Sequence, residues 1–171
     1  MARVLDAAGT AGYGFSLGMQ PAAAREMAAW DLHARVRRAP LHALLGSNGE
    51  AVPLVRDELP ALQPDWESLR RALLEEKHPL LRIDPFAWES LERVLSIRAA
   101  AAHLGTPLAL LAPHGHPWEI AWCAVLAGAG STIILRNDPP AASAPRAAGG
   151  GTGIDWSSEP AFASLRWASP A

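Results

Sequence analysis

The chain has 171 residues, half of them hydrophobic, and a formal net charge of −2. That length favours one domain with its own core, and the composition excludes wholesale disorder. The near-neutral charge gives no footing for non-specific attraction to nucleic acid or membrane surfaces.

In chain order, the N-terminal stretch carries Gly9, Gly12, Gly14 and Gly18 and reads as a mobile glycine-rich loop after a thin strand, RVLDA. With one arginine and no continuous apolar block, it does not read as a signal peptide. Residues 20–38 predict a helix, alanine-rich and closed by Arg35, Arg37 and Arg38, which suit the negative end of a helix dipole. AVPLV (51–55) is a short strand that Pro53 confines to an edge. DWESLRRALLEEKH begins at an Asp65 N-cap and sets Trp66, Leu69, Leu73 and Leu74 on one apolar face. PLLRI (79–83) is a strand. Asp84-Pro85 then starts a helix that runs to a stop at Gly105. LALLA (108–112) is a strand, PWEIAWCAVLA a helix ended by Gly128 or Gly130, and STIIL a strand. The 16 uncharged residues from Ile120 to Leu135 fall short of the roughly 20 a bilayer requires, and glycines interrupt them, so they read as a buried helix plus strand.

Alternating helices and apolar strands imply an α/β fold, a small three-layer domain with a mainly parallel sheet. The domain reading is residues 1–60 as an N-terminal segment and helix, 61–137 as the α/β core, and 138–153 as a linker rich in Pro, Ala and Gly. Residues 154–171 form a C-terminal strand whose alternation (Ala163, Leu165, Trp167 against Phe162, Ser164, Arg166) returns it to the sheet edge.

Several chemistries can be weighed residue by residue. Lys77 is the only lysine and lies between Glu75-Glu76 and His78-Pro79, so no phosphate-binding P-loop exists. A pyridoxal-phosphate enzyme would have to rest on that same lysine, and no cofactor is expected. Gly9, Gly12 and Gly14 do not have dinucleotide-loop spacing. A single cysteine, Cys123, allows no internal disulfide, points to a reducing cytosol and reads as a buried small residue. Gly14-Phe15-Ser16-Leu17-Gly18 matches the nucleophile-elbow pattern, with Asp84 and His114 following in serine, acid, histidine order, but no buried strand feeds it. The loop PHGHP after LALLA is the most suggestive. His114 and His116 follow a strand's carboxyl end, where open α/β sheets place their sites, and Glu119 joins them as a possible ligand or metal loop. Further metal ligands would have to come from Asp84, Asp138 or His103; no metal is expected, and the alternative is a turn whose histidines face water. The Arg35, Arg37, Arg38 cluster could contact phosphate, but reads as a solvated helix end. Among seven tryptophans, Trp88, Trp118 and Trp122 belong to helices packed on the sheet, whereas Trp156 and Trp167 are candidate anchors for a protein partner.

Two resemblances follow from these segments. HLGTPLALLAPHGHPWEIAWCAVLAGAGSTIILRNDPP resembles the first α/β unit of adenylate-forming ligases, without their lysine-bearing phosphate loop; it implies a truncated or degenerate ligase fragment. PLLRIDPFAWESLERVL, LALLAP, AGAGSTIILR and AFASLRWASPA resemble the ATP-free RecA-like fold of SulA-like cell-division inhibitors and their translesion relatives. That resemblance spans 78–171 and implies a non-catalytic accessory protein of cell division or the DNA-damage response, acting by protein contacts. The leading expectation is therefore a cytoplasmic regulatory protein that binds a protein partner, with no membrane or nucleic-acid role. The alternative is a small hydrolase or metal enzyme using the His114–His116 loop.

Overall fold

The computed structural model describes residues 2–14, 21–46, 52–115, 117–128, 130–136 and 153–154. The predicted alternation is present: β3 (Val52–Arg56), α3 (Trp66–Arg70), β4 (Leu81–Ile83), α4 (Leu91–His103), β5 (Leu108–Ala112), α5 (Pro117–Leu126) and β6 (Thr132–Leu135) follow one another. Ahead of them come β1 (Ala2–Leu5), β2 (Ala11–Gly14), α1 (Pro21–Arg37) and α2 (Leu41–Leu44). The four central strands are parallel in the order β4-β5-β6-β3, and β7 (Gly153–Ile154) adds antiparallel to β3. The chain thus returns to the sheet edge at the border of the expected linker and strand; residues 155–171, with Trp156 and Trp167, lie outside the described residues. The expected edge position is corrected: β3 lies between β6 and β7, and Pro53 itself is paired with Gly153 of β7.

Register assigns the two sheet faces. Ile83, Leu110, Ile133 and Leu54 stand in line across the ladder; the first three belong to the main core and the half-buried Leu54 packs against it. The alternate positions Ala109, Leu111 and Ile134 form a second cluster, against which Ala61 and Leu80 pack. β5 is buried at all five positions because it has a strand on either side and cover on both faces. The helices α4 and α5, which connect β4 to β5 to β6 in one direction, contribute to the main core. The step from β3 back to β4 runs the other way. Its extended stretch 57–64 lays Ala61 on the second face, while Leu69, Ala72 and Leu73 farther along the same connection join the main core. Arg82 fixes that stretch: its guanidinium pairs with Asp57 at 3.0 Å, and its carbonyl accepts from Leu62 N at 2.7 Å.

Four further expectations are corrected. Residues 2–14 form a β-hairpin, not a mobile loop. The Asp6 carboxylate accepts from the amides of Ala8 and Thr10, and Gly9 takes the positive φ of +84° that closes the turn. A Cβ on Gly14 would lie 2.7 Å from Ala28 N and collide with the carbonyl of Ala24, so β2 rests directly on the α1 backbone. Arg35 is not part of a solvated end. It donates to the buried Asp31 at 2.8 Å and lies over the Tyr13 ring, while Asp31 also accepts from Tyr13 N; Arg37 and Arg38 are exposed. Asp84-Pro85 makes a turn instead of starting a helix, so Trp88 is buried in that turn. α4 begins at Leu91, where the Ser90 side chain accepts from Arg93 N and Glu26 of α1 accepts from the amides of Leu91 and Glu92 at 2.7 and 3.1 Å. The predicted four-residue apolar face is divided. Leu69 and Leu73 are buried, but the helix widens into a π-helical turn over Arg71–Glu75, and Trp66 and Leu74 are half exposed.

Residues 1–60 share the core: Met27, Ala34, Leu41 and Val52 belong to the same cluster as Leu81 and Leu110. Arg98 joins the two parts. From α4 its guanidinium donates to the carbonyls of Leu126 at 3.0 Å and Leu45 at 2.5 Å, the carboxyl ends of α5 and α2. A cation there answers two helix dipoles together. Among the described residues, no helix is long and apolar enough to cross a membrane.

Candidate functional site at the carboxyl ends of two strands

The polar residues of interest lie where β4 and β5 end. Adjacent parallel strands deliver their carboxyl ends side by side, so the residues after Ile83 and Ala112 emerge on the same rim of the sheet. Asp84 is the first residue past β4. Past β5 the chain turns at once, with Gly115 N donating to Ala112 O at 3.1 Å, and enters α5. Glu119 falls in the first turn of that helix, where a carboxylate is favoured by the dipole and by free amides.

Glu119 reaches back into the turn. One oxygen accepts from the backbone N–H of His114 at 3.0 Å, and the other meets the His114 ring at Nδ1, 2.7 Å away. The side chains differ sharply in exposure, 5% for Glu119 against 57% for His114. A carboxylate at Nδ1 assigns the proton to that nitrogen, which leaves the Nε2 lone pair as the basic atom. This is the arrangement of a general base with an orienting acid.

Asp84 accepts from Phe86 N at 2.9 Å. Burial pushes its carboxyl above the ordinary range; the Phe86 amide opposes this, and the charge of Glu119 adds to it. The Cys123 thiol, on the inner side of α5, is fully buried and donates to Leu111 O at 3.4 Å. Burial, then the charges of Asp84 and Glu119, push it well above a free thiol, so it is a poor nucleophile.

Of the described metal nominations, His103 stands apart from the others. His103 ends α4 at the amino end of β5, the opposite rim from His114. His116 and Asp138 lie outside the described residues, as does Ser16 of the elbow pattern, whose Gly14 is in β2 under α1. Among the described residues, no group of three or more His, Cys, Asp or Glu side chains is placed to hold a metal ion. Lys77 is exposed at the end of the π-helical turn with φ +48°.

Sequence reasoning paired His114 with His116 and gave Glu119 and Asp84 lesser parts. The signal for both acids was present: each lies just beyond a strand whose carboxyl end faces the same rim. Trp66 was missed altogether as a surface residue. It packs edge-on against buried Trp88, with ring centroids 5.6 Å apart, and the Arg93 guanidinium lies over its ring. No family model, curated protein or solved structure matches this chain.

Proposed function

We propose that the chain carries out proton transfer with His114 as general base and Glu119 as the residue that positions it, in a small enzyme of hydrolytic type. One observation carries this reading: an imidazole open to solvent, its Nδ1 held at 2.7 Å by an almost fully buried carboxylate. A buried carboxylate beside a second acid is costly to keep unless a partner or a function repays it. Its position past the strand ends supports the same reading. The test is a screen of ester, amide and phosphoester substrates with wild-type protein and His114→Asn. Asparagine keeps an N–H for Glu119 and removes the basic nitrogen. Turnover lost in the variant is the expected result; equal turnover, or none with any substrate class, sinks the reading.

A second reading is favoured by Trp66. A tryptophan half exposed on α3 with Arg93 over its ring, together with the half-exposed Leu74 farther along the same connection, has the composition of a protein-binding anchor. It supports a cytoplasmic accessory role through protein contacts, the class of role that the SulA-like resemblance implies for cell division or DNA repair. Retention of a stoichiometric protein by the tagged chain, lost on Trp66→Ala with Leu74→Ala, is the expected outcome. Retention unchanged by that pair of substitutions would remove Trp66 from the interface.

A further inference from the structure

We propose that residues 155–171 fold back onto the second face of the sheet and cover the apolar patch that Pro53, Val55 and Leu59 leave open at its β3 side. The proposal is independent of both functional readings, since it concerns neither the His114 rim nor Trp66.

The first ground is the uneven cover of the sheet. The helices send their buried residues to the main core, with Met27 from α1, Leu41 from α2, Leu69 from α3, Leu91 from α4 and Ile120 from α5. On the second face, Ala109, Leu111 and Ile134 are packed by Ala61 and Leu80, both from non-helical chain. Among the described residues, no helix contributes to that cluster, although a parallel sheet is stable only with both faces covered. Over β5 and β6 the cover is complete, since Ala109, Leu111 and Ile134 are at most 1% exposed. It stops short at β3. Register sets Val55 in line with Ile134, yet Val55 is 42% exposed and Leu59, just beyond the strand, is 52% exposed. Pro53, on the same side of β3 as Val55, is exposed as well.

The second ground is where the chain is delivered. β7 pairs antiparallel with β3, Ile154 opposite Val52 and Gly153 opposite Pro53, so the chain leaves β7 at the amino end of the strand that is left open. Ser157-Ser158-Glu159-Pro160 has turn composition, and Phe162, Leu165 and Trp167 follow it. A turn there sends 161–167 back in the direction of β3, with the alternate residues Ala163, Leu165 and Trp167 available for Val55 and Leu59. Reach is ample: extended, residues 155–171 span at most about 55 Å, against roughly 20 Å across five strands.

Tethering favours this segment over a second copy. β7 fixes one end of it beside the strand it covers, which sets its effective concentration on the order of millimolar. A second copy would have to give up its translational and rotational freedom to reach the same place. The patch is also small. Two half-exposed aliphatic side chains and a proline offer far less than the roughly 800 Å² per partner of a stable dimer.

The experiment follows amide hydrogen exchange of the full chain by mass spectrometry, beside its mass in solution, for wild type and for Val55→Asp with Leu59→Asp. Residues 161–168 should exchange about 10-fold or more slowly in the wild-type monomer than in the double variant, while β5 stays equally protected in both. Reciprocally, Leu165→Ala with Trp167→Ala should quicken exchange at 54–60 and leave β5 unchanged. If the aspartates open β5 as well, the alanine pair decides alone, and unchanged exchange at 54–60 overturns the proposal. Wild-type exchange over 161–168 at the rate of an open chain would also overturn it. So would protection that the aspartates leave untouched, which would place the segment elsewhere. Protection that appears only as the chain dimerises would give the face to a second copy instead.

Discussion

In the parallel sheet, Leu110 lies between Ile83 and Ile133, fully buried in a run of five apolar residues. In the N-terminal hairpin, β2 meets α1 through two glycines that bring backbone against backbone, and one buried aspartate holds Tyr13 N and Arg35. The sheet draws its stability from apolar area, a term that tolerates exchange among side chains of similar volume. The hairpin depends on close approach and on a few charge-assisted hydrogen bonds, terms that tolerate almost no exchange. Between the two parts, Glu26 caps α4 from α1, and Arg98 closes the ends of α5 and α2. The same chain is thus robust in one layer and brittle in the other.

The comparison can be broken by substitution, starting with the largest effect. Leu110→Ala should cost about 3–4 kcal/mol, the transfer and cavity terms for a fully buried leucine. Urea unfolding should show this as a lower midpoint with an unchanged slope. Gly14→Ala should cost about 2–3 kcal/mol, because the added methyl has only the α1 backbone to displace. Hydrogen exchange should locate that loss in residues 2–14 and α1 and leave β5 protected. Uniform loss across the chain would show that hairpin and sheet unfold as one unit. Arg98→Ala removes a cation from two helix ends and should cost about 2 kcal/mol, with exchange quickened at the last turns of α2 and α5 together. Ser90→Ala should cost at most about 1 kcal/mol, since Glu26 continues to accept from Leu91 and Glu92. If the loss were much larger, the tertiary cap from α1 would be of little weight.

The smallest effect is in pH dependence. Burial and the charge of Glu119 hold the folded pKa of Asp84 above its ordinary 3.8. A carboxyl raised in this way favours the folded state in acid. Its contribution is complete below the unfolded pKa and is lost as pH rises through the folded value. Asp84→Asn stays neutral and keeps an oxygen for Phe86 N, so the variant should gain stability relative to wild type as pH rises from about 4 toward neutrality. Thermal melts of both proteins across that range measure the difference. Parallel curves would mean that Asp84 is solvated.

Most of the sheet was legible because apolar runs bounded by glycine and proline leave a strand few other options. LALLA and TIIL could only be buried, and a strand–helix–strand order could only be parallel. The helix ends were legible where a local residue decides them, as at Asp65, whose side chain accepts from Ser68 N at 2.8 Å. They were not legible where the decision comes from another part of the chain. Nothing near Asp84 announces that Glu26, 65 residues before Leu91, caps α4. The candidate site divides in the same way. The loop after LALLA could be nominated from its position, but the exposed imidazole and its buried carboxylate partner could not be told apart from the letters H and E.

What the sequence determined by itself is the first long helix and the order and parallel sense of the strand–helix alternation from β3 to β6, because hydrophobic periodicity and turn residues act over short spans. Tertiary structure alone decided that Gly12 and Gly14 serve as contact surfaces for α1, that Trp66 is half exposed, and that Glu119 pairs with His114. The physical reason is range. Propensity and patterning operate over a few residues, whereas close approach, capping between helices and the burial of a carboxylate exist only once distant segments share one place.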